Sequence, residues 1–110
     1  MQDSRPMTQG MLELLAERFK VLGEPARLQL IFTLRDGVRT VTELVRDTGL
    51  GQANTSRHLQ ILHAQGFVTR RKLGLRVEYS LTDRTILGMC ETMFDRMQSD
   101  IVSRQQQLGR

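Results

Sequence analysis

The sequence predicts a mostly α-helical fold with one small antiparallel β-hairpin, arranged as a winged helix-turn-helix. Three observations predict it. Apolar residues recur at helical spacing in four segments. Leu75, Val77, Tyr79 and Leu81 alternate with Arg76, Glu78 and Ser80, the pattern of a half-buried strand. Between them, a short helix, a glycine-bearing turn and a second helix follow one another at helix-turn-helix spacing.

The first helix spans 8–22, with Met7, Met11, Leu14, Leu15, Phe19 and Leu22 on one stripe, and Gly23 interrupts it. Pro25 suits the first turn of the next helix, where its missing N–H would have no partner anyway. Leu28, Leu30, Ile31 and Leu34 face inward up to about Arg35, and Asp36-Gly37 ends the segment. Thr40-Val41-Thr42-Glu43 reads as a capping box, in which the Thr40 hydroxyl accepts from the Glu43 N–H and the Glu43 carboxylate reaches back. Thr48-Gly49 keeps that third helix short.

The fourth helix is expected over 51–65. Its first half is polar, its inward side is Ala53, Leu59, Ile61 and Leu62, and Gly66 is placed for a left-handed cap. The hairpin, 67–81, turns at Gly74 and must lie on the helical core, because two strands alone are marginal in water. Thr82 or Asp83 is placed to cap the last helix, 83–104. Its stripe is Ile86, Met89, Cys90, Met93, Phe94, Met97 and Ile101. Residues 1–7 and 105–110 are expected to be flexible tails.

Charge is distributed unevenly over these elements. Residues 48–77 carry five Arg or Lys and no Asp or Glu, so this window supplies +5 while the other eighty residues sum to −1. A helix with polar leading turns can enter a major groove, and cations on the following hairpin can neutralise phosphates and release counterions. Gln52 and Asn54, near the helix start, are candidates for reading base edges. Ser56 and Arg57 are placed for phosphate or base edges and His58 for phosphate, although a solvated helix face would look similar. On the hairpin, Arg70, Lys72 and Arg76 are expected to matter more than Arg71, with the wing along the backbone or in the minor groove.

Other classes fit less well. A chain of 110 residues suits one domain. It has no apolar run near ~18–20 residues for a membrane span. Met1–Gln9 has two charges and no apolar block, unlike a secretory signal. A lone Cys90 fits a reducing, cytoplasmic setting. No paired carboxylates, nucleophile–base set, phosphate-cradling glycine loop or metal constellation suggests an enzyme, and no cofactor is implied. The competing class is a winged-helix module that binds proteins; such modules usually lack a cationic helix and wing.

The two terminal helices each keep an apolar stripe with nothing left in so small a chain to cover it. Met11 and Leu15 at one end, with Ile86, Met89, Met93, Met97 and Ile101 at the other, are the expected contacts of a twofold homodimer. Such a dimer would present two recognition helices about one DNA turn apart.

Three pieces then carry a resemblance: Leu22-Gly23-Glu24-Pro25-Ala26-Arg27-Leu28, Ser56-Arg57-His58-Leu59-Gln60-Ile61-Leu62, and Gly66-Phe67-Val68 leading to Gly74 and Tyr79. Over roughly residues 12–98 the chain resembles the arsenic-repressor (ArsR/SmtB-type) family of bacterial winged-helix regulators. The resemblance implies a homodimer that occludes promoters and releases them when an inducer binds. It also implies that residues from Gln52 to Gln60, Thr55 included, face bases and phosphates.

The family's metal sites do not carry over. Where one uses a Cys-x-Cys pair, this chain has Thr40-Val41-Thr42-Glu43. Where another uses an Asp-x-His pair and a later His-x-x-Glu, Asp83 is followed by Arg84-Thr85 and no His follows His63. A two-cysteine sulfur or oxidant sensor has a possible counterpart only for its last-helix cysteine, Cys90. That residue reads first as a small apolar side chain and second as a redox thiol. The row Met89, Met93, Met97 reads as packing in preference to a soft Cu(I) site, and His63 as a solvated or capping residue. The inducer is left open.

Overall fold

The computed structural model describes residues 6–109; the expected N-terminal tail lies, over residues 1–5, outside them, as does residue 110. Helix α1 (Gln9–Leu22) starts at Thr8, whose hydroxyl accepts from the Met11 N–H at 3.2 Å. Of its apolar stripe only the far end, Val21 and Leu22, is buried. Helix α2 (Pro25–Thr33) carries the proline in its first turn and buries Leu30 and Ile31. It stops short of Arg35: Leu34–Asp36 tighten into a 3₁₀ turn that ends at Gly37, where φ is +131°.

Strand β1 (Arg39–Thr40) was not expected, since two residues are too few to show alternation. Helix α3 (Val41–Thr48) begins with the capping box complete: the Glu43 N–H donates to Thr40 Oγ1 (3.1 Å) and the Thr40 N–H to Glu43 Oε1 (2.9 Å). That backbone N–H holds the Glu43 carboxyl below its ordinary value. Gly49, at φ 74°, closes α3 in the left-handed region.

Helix α4 (Gln52–Ala64) follows across a turn of Gly49, Leu50 and Gly51, and Leu50 tucks against the core. Its end is a full Schellman cap: with Gly66 at φ 80°, the Phe67 N–H donates to the Leu62 carbonyl and the Gly66 N–H to that of His63. Strands β2 (Val68–Leu73) and β3 (Arg76–Leu81) pair antiparallel, and β1 adds to the free edge of β3, giving the order β1-β3-β2. Leu75 lies in the turn and is fully exposed, outside the alternation expected of it. Val68 and Tyr79 plug the sheet into the core formed by Leu30, Ile31, Leu34, Leu44, Leu59 and Leu62.

Helix α5 (Thr85–Leu108) has Arg84, and not Thr82 or Asp83, at its N-cap with no side-chain cap bond; Asp83 sits one residue earlier, and its carboxylate accepts from the Thr85 N–H at 2.9 Å. It runs past Arg104, so residues 105–108, expected as tail, are helical. Ile86 and Leu87 dock it on the core, and Phe94 packs a tilted ring on Phe32 with centroids 5.8 Å apart. From Glu91 to the helix end every residue is exposed. The radius of gyration is accordingly 17.3 Å, against about 13 Å for a compact chain of this length. Replacing Thr40 by Ala removes one arm of the capping box; we expect a loss of about 1 kcal/mol in chemical denaturation with an unchanged denaturant slope.

Candidate nucleic-acid interface

Burial fixes the rotation of α4. Thr55, His58, Leu59 and Leu62 are its buried residues, at i, i+3, i+4 and i+7, which is one face of a helix. Ala53, Arg57 and Gln60 therefore look outward, with Gln52 and Asn54 exposed beside them and Ser56 half-buried. Three expectations are corrected. Ala53, expected inward, is exposed; Thr55, expected on the contact surface, is 0% exposed; and His58 is only 7% exposed. The physical reason is the same for each: once Leu59 and Leu62 go inside, a helical repeat carries positions 55 and 58 with them.

Each inward polar residue has its own solution. The Thr55 hydroxyl finds no hydrogen-bond partner, so its burial is a net cost offset by the packing around it. His58 is served by Arg27, at the start of α2. Arg27 Nε donates to His58 Nδ1 (3.2 Å) and Arg27 Nη1 to the Val21 carbonyl (3.0 Å). Arg57 Nη2 lies 3.5 Å from His58 Nε2. Burial lowers the pKa of His58, and the Arg57 and Arg27 cations lower it further against a smaller opposing pull from Glu24. Arg27 stands in the sequence only as part of a motif, with no role attached.

The hairpin register divides the wing cations in two. Arg70 pairs with Tyr79 and Lys72 with Val77, so these cations share the core-side face; Arg71 pairs with Glu78 and Leu73 with Arg76, on the other. Arg76 thus belongs with Arg71, not with Arg70 and Lys72 as grouped from the sequence. It also donates to Glu78 Oε2 at 2.8 Å, which partly neutralises it. All four cations are exposed. Gln52 and Ser56 of α4 border one open cleft together with Leu75 and Arg76 at the tip of the wing and the start of α3, Glu43 included.

The terminal helices leave an apolar surface open. Met11 and Leu15 on α1, and Met89, Met93, Met97 and Ile101 on α5, are all exposed. Ile86 is not among them: at 7% exposure it belongs to the core of a single chain, because it sits in the turn that docks α5.

Comparison with known proteins places this architecture. The model of the family described as "Bacterial regulatory protein, arsR family" matches residues 24–70. A biofilm growth-associated repressor of Xylella fastidiosa is 36% identical over 97 residues, 84% of this chain and 85% of that protein. The chain belongs to the ArsR family. The HTH-type transcriptional repressor SmtB of Mycobacterium tuberculosis is 36% identical over 78 residues, 71% of this chain. The aligned chain spans only 58% of that relative's length. The homodimeric winged helix-turn-helix DNA-binding domain of Mb0332 from Mycobacterium bovis, solved by NMR, superposes with a TM-score of 0.74 at 26% identity, covering 86% of this chain and 91% of that one.

Within the ArsR frame, no three His, Cys, Asp or Glu side chains among the described residues come together to hold a metal ion. Among the same residues no helix is long and apolar enough to cross a membrane. Cys90 is half-buried against the core, and that burial pushes its thiol up, away from the thiolate a reactive cysteine needs.

Two outcomes follow from the buried face of α4. Thr55→Val removes an unpartnered hydroxyl at nearly constant shape, and we expect a gain of about 1 kcal/mol in denaturation; a loss would mean that the hydroxyl has a partner. His58 has a folded-state pKa below its ordinary 6.5, so its contribution to stability is full above that pH and is lost as pH falls through the folded-state value. Unfolding midpoints measured from about pH 8 to about pH 5 should fall more steeply for wild type than for His58→Gln.

Proposed function

We propose that the protein is a homodimeric transcriptional repressor that grips double-stranded promoter DNA in the bacterial cytoplasm and blocks transcription by occupying it. The observation that carries this reading is the meeting of two features at one surface. Gln52 and Ser56, on the arc of α4 that also carries Asn54, Arg57 and Gln60, share a cleft with Arg76 at the tip of a wing that bears Arg70, Arg71 and Lys72, and residues 48–77 contain no acid. Arg57 and the wing cations neutralise backbone phosphates, and Gln52 and Asn54 reach base edges in the major groove.

The homodimer is supported by the apolar rows of α1 and α5. A projecting five-turn helix with Met93, Met97 and Ile101 in water gains little by folding alone. Laid against a twofold copy, the same rows become a core, and the two α4 helices face successive major grooves. Relatives named as repressors and a structural neighbour described as a homodimeric DNA-binding domain support the same reading. No membrane partner enters it, and the signal that ends repression is not assigned.

The direct test is a mobility shift on the DNA upstream of the protein's own gene at two salt concentrations. Gln replacements at Arg70, Lys72 and Arg76 should weaken binding to every sequence alike and flatten the salt slope by about one for each phosphate that is no longer neutralised. Ala replacements at Gln52 or Asn54 should instead change the preference among sequences, by roughly 1–3 kcal/mol per base read. Unchanged affinity for unrelated DNA after all three wing replacements would remove the wing from the interface. A thiol response through Cys90 is the finer alternative for the signal, and the raised thiol disfavours it. We expect wild type and Cys90→Ser to release DNA equally after peroxide, disulfide or polysulfide; selective resistance of the Ser variant would make Cys90 the sensor.

A further inference from the structure

We propose that Arg27 is a positioning residue: it locks His58 as the Nε2–H tautomer, so that His58 and Arg57 together present a pair of donors to one DNA phosphate. The inference rests on the reading of α4 as the DNA-contacting helix, and it names a contact within that surface.

The chemistry begins with Arg27. A guanidinium keeps all its protons in a protein and has no acceptor, so Arg27 Nε can only donate across the 3.2 Å to His58 Nδ1. Nδ1 must then offer its lone pair, and a neutral imidazole bonded in that way carries its proton on Nε2. Arg27 itself cannot drift, because its Nη1 is tied to the carbonyl of Val21 in the last turn of α1, where helix carbonyls lack intrahelical partners. The imidazole is fixed in turn by its place on the buried face of α4, next to Leu59.

With the tautomer settled, the 3.5 Å contact between His58 Nε2 and Arg57 Nη2 joins two donors. Two N–H groups facing each other form no hydrogen bond; they are satisfied together by an acceptor placed between them. Arg57 is exposed and His58 keeps 7% of its surface, so an acceptor that bridges the two comes from the Arg57 side. A phosphate oxygen supplies the acceptor and makes both bonds charge-assisted. The groups that face the ring are Arg57 on α4, Arg27 on α2 and Glu24 just before α2. Burial first, and then two cations against one acid, disfavour a positive charge on the imidazole, so His58 serves as a neutral donor.

The test combines histidine NMR with DNA affinity on the full chain. The protein has two histidines, so His58 and His63 are separated by one His63→Gln control. In wild type without DNA, long-range ¹⁵N–¹H spectra should show His58 as the Nε2–H tautomer at about pH 8 and still neutral where an ordinary imidazole has titrated. In Arg27→Met the ring should titrate normally. DNA affinity should drop by about tenfold at about pH 8, the equivalent of one hydrogen bond to a charged group, and recover as acidification charges His58. His58→Gln, whose amide nitrogen falls near the Nε2 position, should bind better than His58→Asn, whose nitrogen falls near Nδ1.

An Nδ1–H tautomer or an imidazolium in wild type at about pH 8 overturns the proposal, and this readout stands even if Arg27→Met does not fold. Identical affinity-versus-pH curves for wild type and a folded Arg27→Met overturn it as well. Failure of wild type to bind any duplex, with the Nε2–H tautomer observed, would instead remove the DNA reading and the phosphate contact with it.

Discussion

Leu59 and Leu62, with no exposed surface, hold α4 against α2, α3 and Val68, and that burial decides which way every other residue of the helix points. Each buried leucine contributes about 1.5–3 kcal/mol relative to an exposed one. Turning α4 by a single residue, about 100°, would bring both leucines toward water and send Arg57 toward the core. No polar preference along the helix competes with that. The placement of Ala53, Arg57 and Gln60 outside and of Thr55 and His58 inside is a consequence of aliphatic packing. The chemistry of the surface is inherited from it.

Around this fixed helix the remaining parts act as supports. The Gly49 and Gly66 caps set where α4 enters and leaves, and the second delivers the chain directly into β2. The capping box at Thr40 and the small strand β1 pin the start of α3 to β3, so that the wing, α3 and α4 meet at one cleft. Arg27 ties the end of α1 to His58, which links the helix carrying one of the exposed apolar rows to the helix carrying Arg57.

Much of this was legible in the sequence, and what was not has specific causes. The helix ends at Pro25, Thr40, Gly49 and Gly66 were readable because the local chemistry of these residues suits a cap or a first turn. The burial of Thr55 and of most of His58 was missed because polarity was read in place of periodicity. The i, i+3, i+4, i+7 series was complete, but its first two members are polar and looked like surface. Ile86 was misassigned for the converse reason: apolar residues on one stripe look alike whether a core or a second subunit covers them. The wing cations were grouped without a register, and only the pairing of Leu73 with Arg76 shows that Arg76 shares a face with Arg71. Strand β1 was too short to signal, and residues 105–108 carry no helix stop before Gly109.

The rotation of α4 is most directly tested by thiol accessibility. Single cysteines at Ala53, Thr55 and Gln60, each in a Cys90→Ser background, would be alkylated with and without duplex from upstream of the gene. Fast reaction at 53 and 60 that the duplex suppresses, with position 55 slow in both conditions, is the predicted result. Equal reactivity at 55 and 53, or positions 53 and 60 left open by saturating duplex, would contradict this orientation of the helix.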